Sequence, residues 1–326
     1  MPIANYIGYF LILTIAGMLY EKYQQKHNRQ VDIDTEQLIR KFLLNKDSDL
    51  GGKPLLWIHN THTVNARDWA SFYSRDTSDL NQPYIPLCVK TIIRHNSDSF
   101  NISIIDDSAF EKLIPGWNID MDSLGDPVKT HIRTLGLMKL LYYYGGMLCP
   151  NSFVALRDLR PLYDSRVAET GCFAAELPNR SVTYMKANAV LSANLIGCEQ
   201  QSETMKSLVG YLENLNSTNY TSSVEFLGLV GRELTVLRNE GLLGVVPGRQ
   251  IGVLNADCQL VPIEELLGNQ YIELANKVYG VVLPAKDILL RTKYSWFARM
   301  SAAQVLESDT MAGKYILFAL GSTQSE

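Results

Sequence analysis

Several residues that could bind a ligand stand directly after short apolar segments. Asp106 and Asp107 follow the alternating segment 100–105, and His59 closes the apolar segment 54–59. Both segments predict buried strands, and the ligands of open α/β sheets collect at the carboxyl ends of strands. We therefore expect these three side chains at one ligand-binding edge of a sheet. The alternatives are an Asp pair that only caps the next helix and a polar loop after residue 59. His59 and His62 could together bind a metal ion, but a third ligand is not evident.

The longest helix of the sequence is predicted over residues 126–144. Asp126 is its expected N-cap, and apolar side chains recur at helical spacing along its inner face. These inner-face residues are Ile132, Leu135, Met138, Leu141 and Tyr142. The helix runs into Gly145-Gly146, after which residues 147–156 are predicted to form a strand and its exit.

Strands and helices alternate through this first part of the chain. The strand at 54–59, a helix at 83–95, the strand at 100–105, the long helix and the next strand follow in that order. Such alternation is typical of an α/β protein with a mixed, largely parallel sheet flanked by helices. Further strands are predicted at 171–176 and 183–192, short strands within 244–261, and further helices at 202–215, 222–239, 270–279 and 294–307.

The order of these elements, with the Tyr144-Gly145-Gly146 ending, resembles the GT-A glycosyltransferases that carry a DxD sugar-binding motif, including the capsular polysaccharide synthesis proteins. The similarity covers roughly residues 54–160 and weakens toward residue 266. It implies a Rossmann-like GT-A domain that binds a nucleotide sugar such as a UDP-sugar, without pointing to a catalytic residue. The substrate-binding residues that it implies are Trp57, His59, Asp106, Asp107, Arg133, Gly145, Gly146, Asn151 and Ser152.

The chain departs from this family where the metal-binding carboxylates should stand. The family has Asp-x-Asp shortly after its Gly-Gly pair, whereas this chain has Pro150, Asn151 and Ser152. Divalent cations such as Mn²⁺ and Mg²⁺ prefer carboxylate oxygens, and these three residues provide none. The family's Asp and Arg in the preceding helix are also replaced, although His131 and Arg133 stand roughly one turn or less away and could offer a shifted basic contact. We therefore expect no metal cofactor unless other carboxylates bind Mn²⁺ or Mg²⁺.

An uncharged apolar segment occupies residues 3–20. Its length reaches the lower end of what spans a bilayer. The two alternatives are a cleaved signal peptide and a buried helix, but the segment lacks the basic start and the cleavage site of a signal peptide. Because Lys22, Lys26 and Arg29 follow the segment, the positive-inside rule predicts a single-pass membrane protein with its body on the cytosolic side. The predicted regions are a transmembrane anchor at 1–21, a stem helix and linker at 22–53, and a GT-A-like domain at 54–326.

The composition is that of a globular protein. A hydrophobic fraction of 46% and a charged fraction of 20% exclude a disordered chain and a multispan membrane protein. A net charge of −4 leaves no basic excess for a phosphate backbone, so nucleic acid is not an expected partner. Five widely spaced cysteines indicate free thiols rather than a disulfide framework. The basic C-terminal residues Lys286, Arg291, Lys293 and Arg299 could contact phosphates or an anionic membrane, or form a solvated helix face.

Two functions from different classes remain. The first is a membrane-anchored glycosyltransferase that transfers a hexosyl group from a nucleotide sugar in capsule or glycan synthesis, without the usual metal pair or with substitute ligands. The second is a non-catalytic structural or interaction module on a membrane, a viral membrane among the candidates. The missing carboxylates favour the second, and the intact surrounding pattern favours the first. Carboxylates gathered beside Asp106 and the strand end at Cys149 would support the enzyme.

Overall fold

The computed structural model of the chain describes residues 52–60, 82–178, 189–218 and 223–321. The predicted anchor and nearly all of the predicted stem lie outside the described residues. Within those four ranges, no helix is long and apolar enough to cross a membrane.

The described strands form a central sheet of six strands and a second sheet of two. They are β1 (Leu55–His59), β2 (Asn101–Ile105), β3 (Gly146–Leu148), β4 (Phe153–Ala155), β5 (Cys172–Pro178), β6 (Ala189–Cys198), β7 (Gly244–Val246) and β8 (Gly280–Val282). The central order is β2-β1-β3-β6-β5-β7, and β4 pairs with β8. β6 runs antiparallel to both of its neighbours, whereas the other central pairs are parallel. The predicted mixed, largely parallel sheet is confirmed.

Helices cover this sheet and connect its strands. They are α1 (Tyr84–Asn96), α2 (Ala109–Leu113), α3 (Val128–Tyr144), α4 (Arg160–Thr170), α5 (Glu203–Thr218), α6 (Ser223–Asn239), α7 (Ile263–Leu266), α8 (Ala285–Leu290), α9 (Ser295–Ala298), α10 (Ala302–Glu307) and α11 (Met311–Gly321). α3 and α6 pack on β6, and α5 packs on both of these helices. α1 packs on β4 and on α11, with which it shares a second apolar core.

The register of the central strands places the carboxyl ends of β1, β2 and β3 at one edge of the sheet. His59 at the end of β1 lies opposite Ile105 at the end of β2, and Trp57 lies opposite Leu148 at the end of β3. The predicted third strand is shorter than expected, because the chain turns after residue 149 and the amide of Phe153 donates to the carbonyl oxygen of Pro150 at 3.0 Å. Its second half is β4, which leaves the central sheet for the small one.

The Gly145-Gly146 pair makes the sharp turn from α3 into β3. Both residues have positive φ values, +67° and +94°, which side chains with a Cβ rarely adopt. A Cβ on Gly146 would also overlap the backbone carbonyl of Leu55 on β1. The pair therefore lets α3 end directly against the sheet, at the amino end of β3.

Several sequence-based expectations about α3 need correction. Asp126 is not its backbone cap, because the helix begins at Val128 without a side-chain cap and the Asp126 carboxylate instead accepts a 2.6 Å hydrogen bond from the Thr130 hydroxyl. Ile132 and Tyr142 are only half-buried. The side chains that α3 buries, glycine included, are His131, Leu135, Gly136, Met138, Leu140 and Leu141.

The C-terminal part departs further from the predictions. Residues 270–279 form no helix, because their backbone groups bond to distant segments: the carbonyl of Glu273 accepts from Ala256, and the amide of Tyr279 donates to Gln250. The predicted helix at 294–307 is two short helices, since Ser301 starts α10 with a capping box. Of the strand predicted at 183–192, only residues 189–192 are described, and they begin β6.

Candidate functional site

Asp107 is the centre of a charge cluster at the carboxyl edge of the central sheet. It follows β2, and its side chain is only 13% exposed. Arg133, on α3, donates two hydrogen bonds to its carboxylate, from Nε at 2.7 Å and from Nη2 at 2.6 Å. This parallel pair of charge-assisted bonds is the strong, geometrically specific form of the arginine–carboxylate contact. His59, at the end of β1, adds a third contact from Nε2 at 3.0 Å.

The cluster keeps Asp107 ionised. Burial by itself would raise the pKa of this carboxyl group, but the hydrogen bonds from Arg133 and His59, and the positive charge of Arg133, hold its pKa well below its ordinary range. The same contact raises the pKa of Arg133. The Lys129 ammonium group, one turn before Arg133 on α3, lies 3.9 Å from Oδ2 of Asp107 and 3.7 Å from the carboxylate of exposed Asp122. One carboxylate is thus surrounded by two permanent cations and an imidazole.

A cavity of about 340 Å³ opens at this edge of the sheet. Its walls come from the ends of β1, β3 and β5, from the start of β6, from β8 and from one face of α3. On α3 the lining residues are Thr130, Arg133, Thr134 and Leu137, which recur at the spacing of a single helix face. Its size and its place at the carboxyl ends of parallel strands are those of a ligand-binding site.

The charged groups that line this cavity are basic. Arg133 contributes its guanidinium group, and exposed Lys286 at the start of α8 contributes an ammonium group. His59 lines it as well. No aspartate or glutamate is among the described residues of its wall. The cavity is therefore suited to an anionic ligand.

The segment 150–152 forms part of the wall but does not fit a divalent ion. Pro150 has no side-chain donor atom, and the Ser152 hydroxyl is buried and donates to the carbonyl oxygen of Leu283 at 2.8 Å. The Asn151 amide donates to the side-chain oxygen of Asn60 at 3.1 Å. In the part of the chain that the structure describes, no three His, Cys, Asp or Glu side chains lie together as metal ligands would. Hard cations want several charged oxygens, and this wall supplies none.

The predicted substrate-binding residues fall into two groups. His59, Arg133, Asn151 and Ser152 line the cavity, and Asp107 bonds to the first two without lining it. These five predicted residues are brought together at one edge, and their role in binding stays a prediction.

The remaining predicted residues lie elsewhere. Trp57 is buried, with its indole nitrogen donating to the carbonyl oxygen of Gly145 at 3.0 Å. Gly145 and Gly146 lie at the amino end of β3, the end of that strand away from the cavity. Asp106 is exposed and accepts hydrogen bonds from the Ser108 hydroxyl and from the first amide of α2, which is the geometry of a helix cap.

Sequence reasoning missed Lys129 and gave no position to Lys286. The signal for Lys129 was its i, i+4 spacing from Arg133 on a predicted helix. Lys286 was recognised only as one of several basic residues, because nothing local indicates that α8 borders the ends of β1 and β3. The conspicuous neighbours of Lys286 have other partners: Lys293, for example, pairs with Glu264 at 2.9 Å.

Comparisons with known proteins give a distant likeness to glycosyltransferases. No family model and no curated protein matches the chain. Among solved structures, it is similar to the glycosyltransferase PaToxG, with 10% identity, a TM-score of 0.34, and coverage of 58% of this chain and 73% of that one. It is similar to apo GlyE of Streptococcus pneumoniae, with 14% identity, a TM-score of 0.36, and coverage of 60% of this chain and 46% of GlyE.

A third similar structure is the galactosyltransferase LgtC in complex with donor and acceptor sugar analogues. It has 12% identity and a TM-score of 0.38, with 83% of this chain and 97% of that one covered. The chain spans less than half of the GlyE chain that it matches. Likenesses of this strength assign no activity to this chain.

Proposed function

We propose that the cavity binds the diphosphate of a nucleotide sugar and that the chain is a glycosyltransferase-type protein that does so without a divalent ion. The observation that carries the proposal is the charge of the cavity: Arg133 and Lys286 line it, and its described wall holds no carboxylate. A sugar nucleotide carries two negative charges on its diphosphate, which two cations balance.

The contact between Arg133 and Asp107 leaves the guanidinium prepared for a ligand. Nε and Nη2 donate to the carboxylate, so the two hydrogens of Nη1 remain available. Because both planar groups are held by two parallel bonds, little rotamer freedom is lost when a phosphate binds. The hydroxyl groups of Thr130 and Thr134 line the same helix face, but each already donates its hydrogen, to the Asp126 carboxylate and to the Thr130 carbonyl oxygen, so the guanidinium is the donor that this face offers.

Calorimetry on the full chain tests this proposal directly. UDP-glucose and GDP-mannose should bind in the presence of EDTA, and Mn²⁺ should not strengthen the binding. Arg133→Gln and Lys286→Gln should each weaken binding roughly 10–100-fold, because a hydrogen bond to a charged group contributes about 1.5–3 kcal/mol. Lys206→Gln is the matched control, since Lys206 is exposed on α5, away from the cavity wall, and pairs with Glu203 at 3.1 Å. Binding that EDTA abolishes, or equal effects of Lys286→Gln and Lys206→Gln, would contradict the proposal.

A second candidate function is a non-catalytic binding or structural module. Its support is the same cavity wall, because no carboxylate of the described residues lines it to act as a general base or to hold an ion. The Asp107 carboxylate is already bonded to Arg133 and His59. The two candidates differ in turnover. Release of UDP from UDP-glucose with added sugar acceptors, abolished by Arg133→Gln, supports the enzyme; binding without any release supports the module.

We further propose that residues 1–21 anchor the protein in a membrane and that the body faces the cytosol. The support is the uncharged segment followed by Lys22, Lys26 and Arg29. The full chain should resist extraction from membranes by carbonate. Protease should digest its body in sealed inside-out vesicles, whose cytosolic face is outside. A freely extracted chain contradicts the anchor, and a protected body contradicts the orientation.

A further inference from the structure

His59 lies between the buried carboxylate of Asp107 and the cavity. Its side chain is 11% exposed, it lines the cavity, and its Nε2 is 3.0 Å from the carboxylate. The ring stacks nearly parallel on Phe110 of α2, with 7° between the planes. One end of the imidazole is thus fixed by an anion, and the ring orientation is fixed by an aromatic neighbour.

The protonation of Asp107 determines which ring nitrogen of His59 carries a hydrogen. An ionised carboxylate only accepts hydrogen bonds, so Nε2 must be the donor in this contact. The remaining nitrogen, Nδ1, is then the ring's only site for taking up a proton. Imidazole is the side chain whose charge ordinarily changes near neutral pH.

We propose that His59 takes up a proton when the anionic ligand binds, so that an imidazolium ion bridges Asp107 and a phosphate of the ligand. This inference rests on the proposed function, because it needs a phosphate in the cavity. The charged groups around His59 are Asp107, Arg133 and Lys129, with Lys286 across the same cavity. Before binding, the cations oppose a positive imidazole and Asp107 favours it; the phosphate adds a second anion and shifts the balance toward the charged ring.

The proposal predicts a specific pH dependence of affinity. Above the pH at which the free imidazole loses its proton, binding must bring one proton from solution, so affinity falls as pH rises. The dissociation constant should therefore rise with pH, by no more than tenfold per pH unit because one proton is taken up per ligand. Uptake should approach about one proton per ligand at the upper end.

UDP-glucose is the appropriate probe because its charge stays constant. Each of its phosphates is esterified on both sides, so it lacks the second ionisation near pH 6 that phosphate monoesters show. Calorimetry on the wild-type full chain, with EDTA and in Tris, HEPES and PIPES at one pH, gives the number of protons taken up from the slope of heat against the buffer's ionisation enthalpy. This measurement needs no variant and is therefore independent of any folding defect.

Two variants separate this inference from the proposed function. His59→Gln should still bind UDP-glucose but should take up no proton, and its affinity should be flat from pH 6 to 8. Lys286→Gln should bind more weakly at every pH with unchanged proton uptake, because a lysine stays charged over this interval. Binding without proton uptake in the wild type, or uptake that persists in His59→Gln, overturns the inference and leaves the proposed function standing. An absence of binding at every pH overturns both.

Discussion

Replacing Asp107 with Asn tests how strongly the charge cluster stabilises the cavity edge. Arg133 donates two bonds of 2.6–2.7 Å to this carboxylate and His59 donates one of 3.0 Å. Asparagine keeps the shape but removes the charge, and its amide nitrogen cannot accept a bond from Arg133. Breaking a fully buried pair costs about 3–5 kcal/mol, and here the guanidinium retains 22% exposure, so water relieves part of the loss. We expect the free energy of unfolding to fall by about 2–4 kcal/mol.

Urea denaturation followed by circular dichroism measures this change, and Asp164→Asn is its matched control. Asp164 pairs with Arg160 four residues earlier on α4, but its side chain is 53% exposed. Exposed pairs of this spacing contribute about 0.3–0.5 kcal/mol, so this variant should be nearly silent. If the two substitutions lower stability by the same amount, the cluster around Asp107 is not the stabilising feature that its geometry indicates.

The same pair of proteins gives a pH test. The pKa of Asp107 is depressed in the folded state, whereas an unfolded aspartate titrates near 3.9. A depressed pKa contributes stability that is fully present above the unfolded value and is lost as pH falls toward the folded one. The stability difference between wild type and Asp107→Asn should therefore shrink as pH falls below about 4. A difference that stays constant down to pH 3 would refute the assignment of the charge.

Three further predictions concern single positions. Gly146→Ala should lower the free energy of unfolding by about 3 kcal/mol or more, because the φ of +94° disfavours a Cβ, which would also overlap a backbone carbonyl. Gly210→Ala is the control: Gly210 lies on an open face of α5, so this variant should be neutral or stabilising in the same urea assay. Ser152→Asp should destabilise the chain by about 2–3 kcal/mol in thermal melts, since a carboxylate would replace a buried hydroxyl that donates to a carbonyl oxygen; an unchanged melting temperature would contradict this. DTNB should modify Cys258 rapidly in the native protein and all five thiols only in urea, because the other four cysteines are buried; a second fast thiol would contradict the described burial.

Local sequence signals predicted the part of the fold that holds one side of the site. The apolar segments of β1 and β2 and the helix that ends at Gly145 are each determined by neighbours in sequence, so their order revealed a parallel sheet whose strand ends carry His59 and Asp107. The side chain that joins them, Arg133, lies on a helix and was predicted at the same site.

The sequence-based predictions that were wrong concern segments whose structure is determined by contacts distant in sequence. Residues 270–279 have a helical pattern but bond to other segments, and no local signal reports those partners. Trp57 is predicted as a ligand contact from the family resemblance alone; its side chain is buried and is not part of the described cavity wall, and its role in binding stays a prediction. Lys286 could not be placed from its neighbours in sequence, since it reaches the site through the pairing of β8 with β4.

The charge of the wall is the reason that we propose diphosphate binding without a divalent ion, although residues 150–152 carry no carboxylate. A cavity with two carboxylates repels a diphosphate until a divalent ion neutralises them, so the ion is needed to bring the net charge of the wall to about zero. At this wall, residues 150–152 are uncharged while Arg133 and Lys286 remain, which leaves two positive charges facing the cavity in the absence of any ion. We expect such a wall to attract a diphosphate directly, and because the Lys286 side chain is exposed, dissolved salt screens part of this attraction. Affinity that falls with added NaCl but is indifferent to EDTA is the behaviour that this charge distribution requires, and affinity with the opposite dependence would mean that a carboxylate from outside the described residues completes the site.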